Sequence, residues 1–149
     1  MKKGVLLLLA VVLVLPVVLF ACLKLTESVT VYRATLEYAA LDDGDKADVP
    51  PFATSIHSAT YSDWQVGEWA WRFDMPADDE AALREWVAGK GGRPLDVSQA
   101  RGIYHMKPPA WWAMPPDARL VSCRDIGQGR SMSIWCSRTE NRVWILYRR

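Results

Sequence analysis

Residues 68–75 read EWAWRFDM, and their alternation decides how the rest of the chain is read. Trp69, Trp71 and Phe73 fall on one side of an extended backbone; Glu68, Ala70 and Arg72 fall on the other. Successive side chains in a strand point to opposite faces, so the pattern predicts a strand with an aromatic inner face. Upstream, FATSIHSATY (52–61) predicts a first strand, joined to it through the turn SDWQVG (62–67). Downstream, Pro76 opens a helix with Asp78, Asp79 and Glu80 near its positive end. Leu83, Trp86 and Val87 form the apolar stripe of that helix, and Gly89 with Gly91–Gly92 ends it.

Asp96 and Gln99 in DVSQARG (96–102) have capping-box spacing, which predicts one short helical turn. KPPAWWAMPP (107–116) cannot be a central strand, because its four prolines remove ladder donors. Two hairpin strands are expected near 119–125 and 131–138, then a last strand in RVWILYR (142–148), with TEN (139–141) as the turn. The expected fold is α+β: a small, mainly antiparallel sheet of about five strands with one helix packed on a face.

The hairpin holds two of the three cysteines, in RLVSCRDIGQGRSMSIWCSR (119–138). A turn centred on Gly129–Arg130 sets Cys123 opposite Cys136, close enough for a disulfide. Two unpaired core cysteines are the alternative. No Cys-x-x-Cys or histidine pair accompanies them, so no metal site is expected. Cys22 is then the odd one out.

Cys22 sits in LFACLKL (19–25), near the end of an uncharged run from Val5 to Leu23 that follows Lys2 and Lys3. As a helix this run spans roughly 28 Å, close to the hydrocarbon thickness of a bilayer. The lysines hold the N-terminus in the cytoplasm and place the remainder outside. Three outcomes compete. The run is an uncleaved anchor, a lipoprotein signal lipidated at Cys22, or a cleaved export signal. Leu19 and Ala21 fit a lipobox; Phe20 does not, and no Gly/Ser tether follows. Val29, Tyr32, Leu36 and Ala39–Ala40 recur at near-helical spacing and extend the helix outward, until DDGDKADVPP (42–51) breaks it as a solvated linker. The expected organisation is an anchor or signal at 1–25, a helical stalk and acidic linker at 26–49, and an extracytoplasmic α+β domain at 50–149. An oxidising compartment outside the cytoplasm agrees with a disulfide.

Beyond Lys2 and Lys3 the chain carries 16 basic and 17 acidic side chains. That balance gives no hint of nucleic-acid binding, which leans on clustered Lys and Arg. The charges are nonetheless segregated. Residues 37–85 hold 12 acids against Lys46, Arg72 and Arg84, and residues 119–149 hold seven arginines against Asp125 and Glu140. The two readings are solvated faces of one domain, or a basic hairpin facing anionic lipid or an acidic partner.

His57 and His105 are the only histidines. No nucleophile elbow, phosphate loop, zinc-protease helix or dinucleotide fingerprint is present, so no cofactor and no catalytic residue is assigned. The most particular segment is YHMKPPAWWAMPP (104–116). Its Tyr104, His105, Trp111 and Trp112 are the candidate binding surface, an aromatic platform for a partner, a sugar or the membrane interface. Closure of this loop over the core is the other reading. VPPFATSI, WAWRFDMPADDEAALREWV and PPAWWAMPP together resemble segments of small uncharacterised bacterial envelope proteins, many of them predicted lipoproteins. The resemblance spans Pro50 to Tyr147 and implies a fold and a location, not a reaction. The expected function is binding or structural interaction by a domain tethered to the bacterial cell membrane. Its partners are membrane lipid through the N-terminus and an envelope protein. An envelope hydrolase, or an inhibitor or immunity protein, is the alternative.

Overall fold

The aromatic alternation is realised at the centre of a sheet. The computed structural model describes residues 12–19, 29–63, 66–76, 79–100, 102–103 and 105–149. Among them, seven strands form one antiparallel sheet: β1 (Val29–Leu36), β2 (Thr54–Ser62), β3 (Gly67–Asp74), β4 (Arg93–Pro94), β5 (Arg119–Gly127), β6 (Arg130–Ser137) and β7 (Arg142–Arg148). Their order is β1-β2-β3-β7-β6-β5-β4. Helix α1 (Asp43–Asp48) joins β1 to β2, and helix α2 (Glu80–Gly89) follows β3. The protein is a mixed α+β fold.

Each face of the sheet is covered by a different kind of structure. On the helix face, Trp71 and Phe73 of β3 pack with Val143, Ile145 and Tyr147 of β7 and Met132, Ile134 and Cys136 of β6. Leu83 and Val87, one turn apart on α2, close over them. Burying each of those two side chains contributes about 1.5–3 kcal/mol. On the loop face, Ala59, Ala70, Trp144 and Leu146 meet Met106 and Trp112 of the proline-rich loop. α2 stops where Gly91 adopts a φ of 67°, a left-handed geometry that glycine reaches without strain.

Several expectations change. The stretch from Val29 is an edge strand paired with β2, not a helical stalk, and so belongs to the sheet. Its β-branched Val29, Thr30 and Val31 suit a pleated surface, and pairing with β2 overrides the helix-like spacing. The acidic linker is likewise ordered: Asp42 accepts a hydrogen bond from the Asp45 N–H at 2.8 Å and caps α1, and Val49 behind it is buried. With β1 on one edge and the two-residue β4 paired to β5 on the other, the sheet has seven strands instead of about five. As for the membrane helix, among the described residues no helix is long and apolar enough to cross a membrane. Residues 12–19 are helical and exposed, while 1–11 and 20–28, including Cys22, lie outside the described residues.

The disulfide is the last correction. The β5–β6 turn pairs Gly127 with Arg130, with Gln128 and Gly129 at its centre, both at positive φ. Two irregularities in β5 then shift the register again, so that Cys123 faces Ser133 and Cys136 faces Arg119. An offset by an odd number of residues puts two side chains on opposite faces of a sheet. Cys136 accordingly lies on the helix face, while Cys123 Sγ sits 3.4 Å from Ser133 Oγ on the loop face. Both are buried free thiols. In thiol labelling without reductant, Cys123 and Cys136 are expected to resist alkylation in the folded chain and both to react once it is denatured. Unreactive thiols after denaturation would restore the disulfide.

Candidate functional site

Sequence alternation gave β3 one apolar face and left Glu68, Ala70 and Arg72 on the other, and that second face is where the polar chemistry collects. Ala70 on β3 and Ala59 on β2 leave a shallow trough. The loop leading to β5 fills it, anchored by a single 3-10 turn at Ala110–Trp112. Adjacent side chains in such a turn diverge by about a third of a revolution, against half a revolution in a strand. Both tryptophans can thus lean on the sheet. Trp112, 8% exposed, lies edge-on to Trp135 at 6.2 Å. Half-buried Trp111 packs at 5.8 Å from His57, and its carbonyl accepts the Trp144 indole N–H at 3.4 Å.

Polar groups bound this trough at both ends. At the end nearer Val29, Glu68 is 0% exposed. Its carboxylate accepts from Arg148 Nε at 3.1 Å and from the His105 backbone N–H at 3.0 Å. The His105 ring is stacked on Tyr61 at 5.8 Å, and the Tyr61 hydroxyl donates to Asp63 at 3.0 Å. At the other end, His57 and Arg72 are paired across β2 and β3. Burial and the neighbouring Arg72 hold the His57 imidazole below its ordinary pKa, so it is neutral at pH 7. Neither imidazole hydrogen-bonds a carboxylate or a hydroxyl among the described residues.

A separate network lies at the start of α2. Glu80 binds Arg84, Arg119 and Arg138, and these hydrogen bonds, that of Arg138 foremost, lower its carboxyl to about 2. A cleft of about 340 Å³ opens beside Met75, Glu80, Arg138 and Asn141. Arg142 similarly holds Asp74 and Glu140 at 2.9 and 2.7 Å. The segregated charges of the sequence meet here: acids from the first half are neutralised by arginines from the closing hairpins. Much of the basic charge is consumed within the fold.

Of the proposed binding surface, His105 lies at the Glu68 end of the loop face and Trp111 at the His57 end, while Trp112 is buried in the core cluster. Tyr104 lies outside the described residues, as does the lipidation candidate Cys22. Among the described residues no group of three or more His, Cys, Asp or Glu is placed to hold a metal. Sequence reasoning missed Glu68 and Arg72 as site residues, since alternation marks only which face a residue is on. Ala70 between them was the available signal, because a small residue there leaves room for a covering loop. Searches against protein-family models, curated proteins and solved structures gave no match to this chain.

Proposed function

We propose that this chain is a membrane-tethered domain of the bacterial envelope that works by binding an extended segment of an envelope protein along β1. The observation carrying this reading is the state of that edge. Among the described residues β1 pairs with β2 on one side only, and Val29, Val31 and Tyr32 stand exposed on it. An unguarded edge strand is a template for a further strand, and natural proteins usually blunt such edges with charge or proline. The charged residue of β1, Arg33, is paired with Asp45 at 3.3 Å and keeps 54% of its side chain in solvent, and the strand carries no proline.

The chain supports the location. Five residues separate Leu23, the end of the apolar run, from Val29. Fully extended they span roughly 17 Å, so a tethered domain presents this edge close to the bilayer. The long apolar run after Lys2 and Lys3 and the likeness to small envelope proteins support the same placement. A photo-crosslinking residue at Val31, in full-length protein within native membranes, tests the reading. The expected result is membrane retention and an adduct mapping to one continuous segment of one envelope protein, absent when the probe stands at exposed Glu85. Recovery in the soluble fraction, or equal labelling from both positions, would overturn it.

A further inference from the structure

His57 and Arg72 stand opposite each other on β2 and β3, and Trp144 flanks Arg72 on β7. Two nitrogens of the pair, His57 Nδ1 and Arg72 Nε, are buried without a hydrogen-bond partner among the described residues. Buried polar atoms of folded proteins are almost always paired, with protein, water or a ligand. Orphaned nitrogens on two residues that face each other across paired strands therefore call for a partner.

The vacancy on Arg72 has a local cause. Asp74, two residues along and on the same face of β3, is the nearest carboxylate in sequence. Arg142 stands directly across from it on β7 and takes it at 2.9 Å, while also holding Glu140. Arg72 is left half-buried with no ion pair among the described residues. Trp111 packs against His57 and covers the pair from the loop side.

The geometry points to a binding site for a small oxyanion, a carboxylate or phosphate group, whose oxygen accepts from Arg72 Nε–H and His57 Nδ1–H beside Trp111. A guanidinium presents its N–H groups in a fixed planar fork that matches such oxygens. A metal cation is disfavoured by the guanidinium itself. A water molecule gives the nitrogens an acceptor but gives Arg72 no anionic partner of its own, since Arg142 takes both Asp74 and Glu140. The inference is independent of the strand-addition reading, since it concerns the interior of the loop face and not the β1 edge.

The same ledger gives the site a pH signature. His57 faces Arg72 and Asp74 on β3, Arg142 on β7, and Trp111 on the loop. With His57 neutral, two arginines balance Asp74 and Glu140, so an added anion leaves one negative charge in excess. Protonating His57 restores neutrality, and binding is therefore coupled to proton uptake. Affinity rises as the pH falls towards the lowered pKa of His57 in the empty site.

The test is a titration of the isotope-labelled full chain in detergent micelles with inorganic phosphate and, separately, acetate. The Arg72 Nε–H and His57 ring resonances are followed. A saturable shift is expected for at least one anion, tighter at pH 5.5 than at pH 7.5. Arg72→Gln should weaken binding about ten- to hundredfold, as loss of a charged hydrogen bond does. Arg72→Lys, which keeps the charge and removes the Nε–H, should also weaken it. Arg138→Gln, at the separate Glu80 network, should leave it unchanged. No saturation with either anion would overturn the proposal. So would wild-type affinity in both Arg72 variants, or equal loss in Arg138→Gln.

Discussion

Trp144→Ala is expected to destabilise the fold by about 3–5 kcal/mol, the range for deleting a fully buried large aromatic. Trp144 is 0% exposed and lies at the middle of β7, between Arg72 on β3 and Trp135 on β6. Removing the indole leaves a cavity bounded on two sides by paired strands, which cannot collapse without breaking ladder hydrogen bonds. It also strips the loop of the N–H that holds the Trp111 carbonyl. Domains of this size are stable by about 5–15 kcal/mol, so one substitution removes a large share. Urea unfolding of the full chain reads this as a lower midpoint with an unchanged slope. Trp144→Phe keeps most of the apolar volume and should cost about 1–2 kcal/mol. A loss below about 1 kcal/mol for alanine would mean that the loop does not pack on Trp144 in solution.

That position also shows how far the sequence could be read. The alternation in β3 and the turn signals after β5 and β6 are local, so these strands, α2 and the 96–99 capping box are all legible from residues a few places apart. The two-sided covering of the sheet is not local. RVWILYR has apolar side chains at nearly every position, which fits a strand buried on both faces, but nothing nearby says that a proline-rich loop supplies the second cover. Register was the least legible quantity. A turn centred one residue away from the expected place, together with two irregularities in β5, moved Cys123 and Cys136 to opposite faces. β1 departs from its helix-like reading because five residues of helical spacing weigh less than an unpaired β2 edge. The site followed the same rule. Trp111 and His105 could be nominated from composition, whereas Glu68 and Arg72 gain their meaning only from what crosses above them.

Glu68→Ala is expected to cost about 3 kcal/mol, the lower end of the range for breaking a buried ion pair. The lower end applies because Arg148 keeps 21% of its side chain in solvent and can turn outward once its carboxylate is gone. The backbone has no such escape: the His105 N–H reaches Glu68 at 3.0 Å and loses its acceptor in the alanine variant. Amide exchange at His105 and Met106 should accelerate more than exchange in β7, a local signature that general destabilisation does not produce. Glu68→Gln retains an oxygen for that N–H and loses only the charge, so it should cost less and keep the His105 amide protected. The double variant Glu68→Leu with Arg148→Met should recover part of the loss, since replacing both partners removes the stranded charge. If Glu68→Ala and Arg148→Ala instead add with no coupling, the two side chains are not a pair in solution. The distinction matters for how the loop is fixed, because a carboxylate clamped by Arg148 is a rigid acceptor, and a rigid acceptor is what registers the loop over the trough.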